Sequence, residues 1–178
     1  NPFHYNVPEG RYVSQGYTNG TQAVKEMRRM VNSFHDAGIA VIMDVVYNHT
    51  DGTGNSSLYD MTVPKYFYRL NSECGYSNGS GCGNEIATNH KMVKKYVLDS
   101  LKHWMKDFHI NGFRFDLMGV QEQETMSEIF CELKKIDPYV MVYGEPWTGG
   151  ECAVKNGCSG SVACGKNCGV GAFNDDFR

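Results

Sequence analysis

The chain has 178 residues, 41% of them hydrophobic and 12% aromatic, a globular composition large enough for one domain with a substantial core. Its net charge of -3, with Lys and Arg scattered along the chain, offers no basic field for a nucleic-acid partner. No apolar run approaches the ~20 residues a membrane span needs, so no membrane partner is expected either.

Residues 1–20 are rich in Tyr, Pro, Gly and Asn and lack periodicity, which reads as an ordered loop. Thr21 can cap a helix whose apolar positions Val24, Met27, Val31 and Phe34 recur at three- and four-residue steps, with Gly38 as its stop. The run Ile39-Ala40-Val41-Ile42-Met43-Asp44-Val45-Val46 suits a parallel strand covered on both sides. Residues 50–88 then form a connection too long for a simple loop. Its aromatic content (Tyr59, Tyr66, Phe67, Tyr68, Tyr76) predicts an ordered, ligand-facing insertion, and Gly79-Ser80-Gly81-Cys82-Gly83 reads as turn chemistry because it lacks the ending of a phosphate loop.

A second helix is marked by Val93, Val97, Leu101, Trp104 and Phe108, with Tyr96 and Met105 widening the stripe. The strand Gly112-Phe113-Arg114-Phe115-Asp116-Leu117 follows, its charges alternating with apolar residues, so that Arg114 and Asp116 share one face. Met126, Ile129, Phe130, Leu133 and Ile136 mark a third helix, stopped at Asp137-Pro138, and residues 139–144 give a third strand ending at Glu145-Pro146-Trp147. Helices alternating with buried strands, each with a carboxylate at its end, make an α/β pattern with a parallel sheet. Three parallel strands with an open edge are not expected to be complete, so residues 1–178 read as a fragment of a larger domain.

The seven cysteines cannot all pair within the chain, and Cys152, Cys158, Cys164 and Cys168 crowd one Gly-rich segment. Their spacing does not suit zinc knuckles. Free thiols in a cytosolic protein are the plainer account, with disulfides in a secreted protein as the alternative, and cytoplasmic location is favoured on that ground alone. Since Asn1 is not an initiator methionine, the lack of a leader carries no information on export.

In parallel α/β folds, ligands gather at the carboxyl ends of the strands. Asp44, His49, Arg114, Asp116 and Glu145 are therefore expected to converge. Two carboxylates on adjacent strands suit glycoside hydrolysis with retention, in which one attacks and the other donates a proton. Arg114 beside Asp116 favours the ionised form a nucleophile needs, whereas Glu145, between Gly144 and Pro146 with no adjacent cation, is the better candidate for the general acid. His49 follows its strand in a polar run and is read as a sugar hydrogen-bonding group, Asp44 as an orienting partner for Arg114, and Trp147 as a stacking ring for sugar.

At these residues the sequence resembles the α-amylase superfamily of retaining glycoside hydrolases, glycoside hydrolase family 13. Asp44-Val45-Val46-Tyr47-Asn48-His49 looks like its first conserved region, residues 112–116 its second and Tyr143-Gly144-Glu145 its third. Within it, residues 5–10, Phe115-Asp116-Leu117-Met118-Gly119 and Tyr143-Gly144-Glu145-Pro146-Trp147-Thr148-Gly149-Gly150 are similar to the type I pullulanases, which debranch α-1,6 links. The resemblance implies a partial (β/α)8 TIM barrel covering about strands three to five, with Asp116 as nucleophile, Glu145 as general acid/base, and Arg114 and His49 as sugar contacts. Tyr47, Met118 and Trp147 join the substrate-binding set, and Asn48 joins Asp44 as an orienting residue. The third carboxylate the resemblance implies is expected beyond Arg178, so the fragment alone should be inactive. Gln121 stands where these enzymes often carry His, which bears on fine substrate contacts.

The expected partner is an α-glucan. No cofactor is required; calcium, found in many relatives, is left without assigned ligands. Two alternatives stand beside the debranching reading: an enzyme of the same superfamily that cuts α-1,4 links or transfers glucans, and a non-catalytic glucan-binding protein. A metal-dependent hydrolase using Asp44 and His49 has too few ligands nearby.

Overall fold

The computed structural model describes residues 2–14, 16, 20–159 and 169–174. Cys164 and Cys168, part of the loop 1–20 and the run 175–178 lie outside the described residues. Helix α1 (Gly20–Asp36) buries Ala23 and Val31, with Val24 and Met27 packed partly against the core. It closes through Gly38 at φ +74, where the Gly38 N–H donates to His35 O (2.8 Å) and the Ile39 N–H to Phe34 O (2.9 Å), a Schellman closure that only a left-handed residue permits easily. Phe34 itself stays exposed at this end, against the expectation of a buried face.

Four parallel strands follow in sheet order β1 (Ile42–Val45), β2 (Gly112–Phe115), β3 (Met141–Gly144) and β4 (Gly171–Ala172). Helix α3 (Lys91–Phe108) carries the crossover from β1 to β2 and α4 (Gln123–Lys134) that from β2 to β3, as parallel pairing requires. The side chains read as helical stripes do face inward: Val93, Val97, Leu101, Trp104 and Phe108 on α3, and Met126, Ile129 and Leu133 on α4, are buried. Ile136, expected to extend the α4 stripe, lies beyond the helix and is exposed. Phe113 and Phe115 project from β2 into this core, each worth about 1.5–3 kcal/mol on burial.

Two expectations change. The first strand is shorter than the apolar run and is not buried on both faces: among Ile42–Val45 only Val45 is buried, and Asp44 is exposed. The short β4 lies in a Gly-rich segment that carries no strand signal.

Residues 50–88 are ordered, as expected. After a 3-10 turn at Gly54–Ser56 come helix α2 (Leu58–Thr62) and antiparallel bridges Tyr68 to Ile86 and Leu70 to Tyr76. Tyr59 stacks on Phe67 at 3.9 Å, and Phe67, Tyr68 and Ile86 are buried, so these rings build a core beneath the segment, with Tyr59, Tyr66 and Tyr76 packed partly against it. Buried Asp60 ties it together, accepting from the Gly54 N–H (2.7 Å), the Lys65 N–H (2.8 Å) and the Tyr76 hydroxyl (2.6 Å).

Candidate active site

The parallel register places Asp44 beside Arg114 and Arg114 beside Tyr143. The ladder then runs one residue past the strand ends: the Asp116 N–H donates to Val45 O (3.0 Å), the Glu145 N–H to Phe115 O (3.1 Å) and the Phe173 N–H to Gly144 O (3.0 Å). Asp116, Glu145 and Phe173 thus form one row across the sheet, two residues beyond the row of Arg114 and on its face. Gly144 is required here, since a Cβ would stand 2.6 Å from Phe115 O. The chain leaves β2 abruptly through Leu117, left-handed at φ 42 and ψ 51, so Leu117 ends the alternation predicted to include it.

Arg114 joins the carboxylates. Its Nη1 lies 2.9 Å from both Asp44 Oδ1 and Asp116 Oδ1, and its Nη2 lies 2.5 Å from Glu145 Oε1. This corrects the expectation that Glu145 has no neighbouring cation: the adjacency lies across strands and not along the chain. Burial alone would pull the guanidinium down, but hydrogen bonds to Asp44 and Asp116 outweigh it and hold Arg114 above its usual value. The second oxygens are also held, Asp116 Oδ2 by Asn48 Nδ2 (2.7 Å) and Glu145 Oε2 by the Leu117 N–H (2.9 Å). Exposure separates the two acids, the Glu145 side chain at 17% being more shielded than Asp116 at 30%.

Asn48 is buried and donates to Asp116 twice, at the carboxylate and at the backbone oxygen (2.9 Å). His49 is also buried, its Nδ1 paired with Asn48 Oδ1, while its carbonyl accepts the Tyr5 hydroxyl (2.5 Å). Burial lowers the His49 imidazole below its usual value, with Asp116 pulling the other way. Trp147 is partly exposed beside Phe173, their ring centroids 6.4 Å apart.

Three residues sit elsewhere than expected. Tyr47 points away from the strand-end cleft into the core, 4.9 Å from the Tyr5 ring, with its hydroxyl on Ser100 Oγ (2.6 Å). Met118 is fully buried in the 3-10 turn Met118–Val120, packed where a Gly144 Cβ would be. Gln121 is buried too, donating to Tyr47 O (2.9 Å) and accepting from the Thr88 hydroxyl (2.8 Å), so it braces the scaffold.

Other features gave no sequence signal. Arg69 is buried between Glu85 (2.5 Å) and Glu122, and Glu85 Oε2 accepts the Gly79 N–H (2.5 Å). The Gly79 carbonyl accepts the N–H groups of Gly149 (2.8 Å) and Gly150 (3.1 Å), which bears on the segment following Glu145. Cys152 lies against Glu85, and burial pushes its thiol up to about 11. Cys158 is disulfide-bonded, contrary to the reading of free thiols throughout the cluster. Among the described residues, no group of three or more His, Cys, Asp or Glu is disposed to hold a metal ion, and no helix is long and apolar enough to cross a membrane.

No family model matches the chain. Pullulanase of Bacillus subtilis strain 168 is 36% identical over 179 residues, which cover 100% of this chain and 24% of the relative. The crystal structure of type I pullulanase from Bacillus subtilis with maltose matches with a TM-score of 0.91 at 34% identity, over 100% of this chain and 25% of that one. The structure of pullulanase from Anoxybacillus sp. LM18-11 with maltotetraose matches at 0.90 and 36% identity, over 99% and 26%. The chain thus spans about a quarter of the length of these relatives, and its parallel sheet is a segment of a (β/α)8 fold. With identity above a third and TM-scores of 0.90 and 0.91, this chain is similar along its whole length to a segment of the type I pullulanases.

Proposed function

We propose that the intact protein is a retaining glycoside hydrolase that cuts α-1,6 branch links in an α-glucan such as pullulan, limit dextrin or amylopectin, with Asp116 as nucleophile and Glu145 as general acid and base. The observation that carries this reading is that one guanidinium, Arg114, holds both carboxylates at the ends of neighbouring strands. A pair of carboxylates drawn together from neighbouring strands, which lie ~4.7–4.9 Å apart, suits the ~5–5.5 Å carboxyl separation of retaining enzymes. The likeness to pullulanases solved with maltose and maltotetraose supports an α-glucan as the substrate.

In this scheme Asp116 attacks the anomeric carbon while the glycosidic C–O bond breaks and Glu145 gives its proton to the departing oxygen. Water then adds to the glycosyl–Asp116 ester, loses its proton to Glu145 and frees the carboxylate. Arg114 and Asn48 fix Asp116 for in-line attack, and Asp44 helps aim Arg114. Glu145 Oε1 faces Arg114 and Oε2 faces the Leu117 N–H, so substrate entry must displace one of these contacts before the acid can hold its proton toward the leaving group. Trp147 and His49 contact the sugar, while Tyr47 and Met118 serve the scaffold behind it.

Product analysis tests this. The intact protein should release maltotriose from pullulan, and Asp116→Ala and Glu145→Gln should abolish release. Panose would move the specificity to α-1,4 links, and no product from any α-glucan would overturn the hydrolase reading.

A further inference from the structure

Phe173 is the residue of the catalytic row that sequence reading leaves without a role. Its N–H continues the β3–β4 ladder onto Gly144 O at 3.0 Å, which fixes its backbone in line with Asp116 and Glu145. The ring then lies over the Arg114 guanidinium, 5.7 Å from Cζ to the ring centroid. It is itself braced edge-on by Tyr143, at 5.6 Å and 79°, from the row below. Arg114 is thus engaged by carboxylates at Nη1 and Nη2 and by the π-cloud of Phe173. A guanidinium bound only at its edge can tip out of plane or trade a carboxylate for water; an aromatic ring beside it restricts both motions.

We propose that Phe173 is a positioning residue for the hydrolytic reaction: it holds the Arg114 fork in the plane that sets Asp116 and Glu145 relative to each other. This rests on the hydrolase reading above. The role is distinct from sugar stacking, because its action passes through Arg114 and should appear in the chemical step and not in binding. Phe173 also adjoins Trp147, at 6.4 Å between centroids, so a contribution to the sugar-facing wall is the rival account.

The test uses the intact protein with Phe173→Ala, Phe173→Leu and Phe173→Tyr, measuring kcat and KM on pullulan, the melting temperature, and crystal structures of the wild type and the alanine variant. The expected result is a fall in kcat of about threefold to tenfold for both Ala and Leu, with KM little changed and near-wild-type kcat for Tyr, which keeps the π-face. Leu retains apolar bulk, so its failure to rescue separates the ring's charge interaction from packing. Unchanged kcat in Ala and Leu, a rise in KM alone, or full activity in Leu would each overturn the proposal. Should the wild type hydrolyse no glucan, the hydrolase reading fails on its own, and an Arg114 fork unmoved in the Phe173→Ala crystal structure would overturn the positioning role as well.

Discussion

Arg114 Nη2 and Glu145 Oε1 meet at 2.5 Å across neighbouring strands, while the other arm of the same guanidinium holds Asp116 at 2.9 Å. Replacing Arg114 by Lys keeps one positive charge but removes the fork that reaches two carboxylates at once. Arg114→Lys should therefore lower kcat by at least about 100-fold, the scale of losing positioned acid–base chemistry, while circular dichroism of the intact protein stays that of the wild type.

Asn48 offers a different handle on Asp116, the proposed nucleophile. Its amide donates both to the Asp116 carboxylate and to its backbone oxygen from a fully buried position. Asn48→Ala removes the donor to Asp116 Oδ2 and to the backbone oxygen, leaving Arg114 as the remaining tie to the carboxylate, at a cost of about 1–3 kcal/mol in urea unfolding and with a fall in kcat. Asn48→Asp should be worse, because it sets a second carboxylate against the first.

Gly119 lies under the segment that follows Glu145. Its N–H donates to Glu145 O (3.0 Å) and Trp147 O (3.1 Å), and an added Cβ would fall well inside contact distance of the Trp147 carbonyl. Since the obstacle is backbone, Gly119→Ala should cost about 1–3 kcal/mol of stability and shift Trp147. A rise in KM for oligosaccharides, alongside the lowered urea midpoint, checks it.

The buried ion group at Arg69 predicts a stability effect away from the chemistry. Arg69→Met would strand Glu85, which is fully buried, and should destabilise by about 3–5 kcal/mol. Replacing Arg69, Glu85 and Glu122 together by Met, Gln and Gln should recover much of that loss, as denaturant titration of the single and triple variants would read.

His49 gives a pH dependence of definite sign. Its folded-state value is lowered from the usual 6.5 by burial, so below pH 6.5 the unfolded chain takes up the proton first. The stability His49 contributes is complete above pH 6.5 and is lost as pH falls from there through the depressed folded value. Unfolding free energies from pH 7.5 down to pH 5 should show this decline, and His49→Gln should flatten it.

Much of the site was legible because strands impose a period of two and parallel sheets collect their functional groups at one end. Asp44, Arg114, Asp116 and Glu145 each ended or nearly ended an apolar run, and the register brings them together. What pairs across strands was not legible. Arg114 is a neighbour of Asp116 in sequence but of Glu145 only through the sheet, which is why a sequence argument sorted the two acids by cation when the structure sorts them by exposure. Tyr47 shows a second limit: it lies in a polar run beside Asn48 and His49, yet its ring is turned into the core, and composition does not report side-chain direction. Arg69, Glu85 and Glu122 reveal nothing singly, since each reads as a solvated charge until the fold buries them together. Phe173 escaped because the two-residue strand before it is too short for any periodicity.

The Gly79 carbonyl takes the N–H groups of both Gly149 and Gly150, and the Gly79 N–H is itself clamped by Glu85. The segment 50–88 therefore behaves as a jig for the residues that follow Glu145, and the two cannot be exchanged independently. A chimera that swaps this segment with that of a pullulanase relative must carry the 79–85 turn together with the 147–150 run, or the new segment will arrive without the surface against which the residues after Glu145 are shaped.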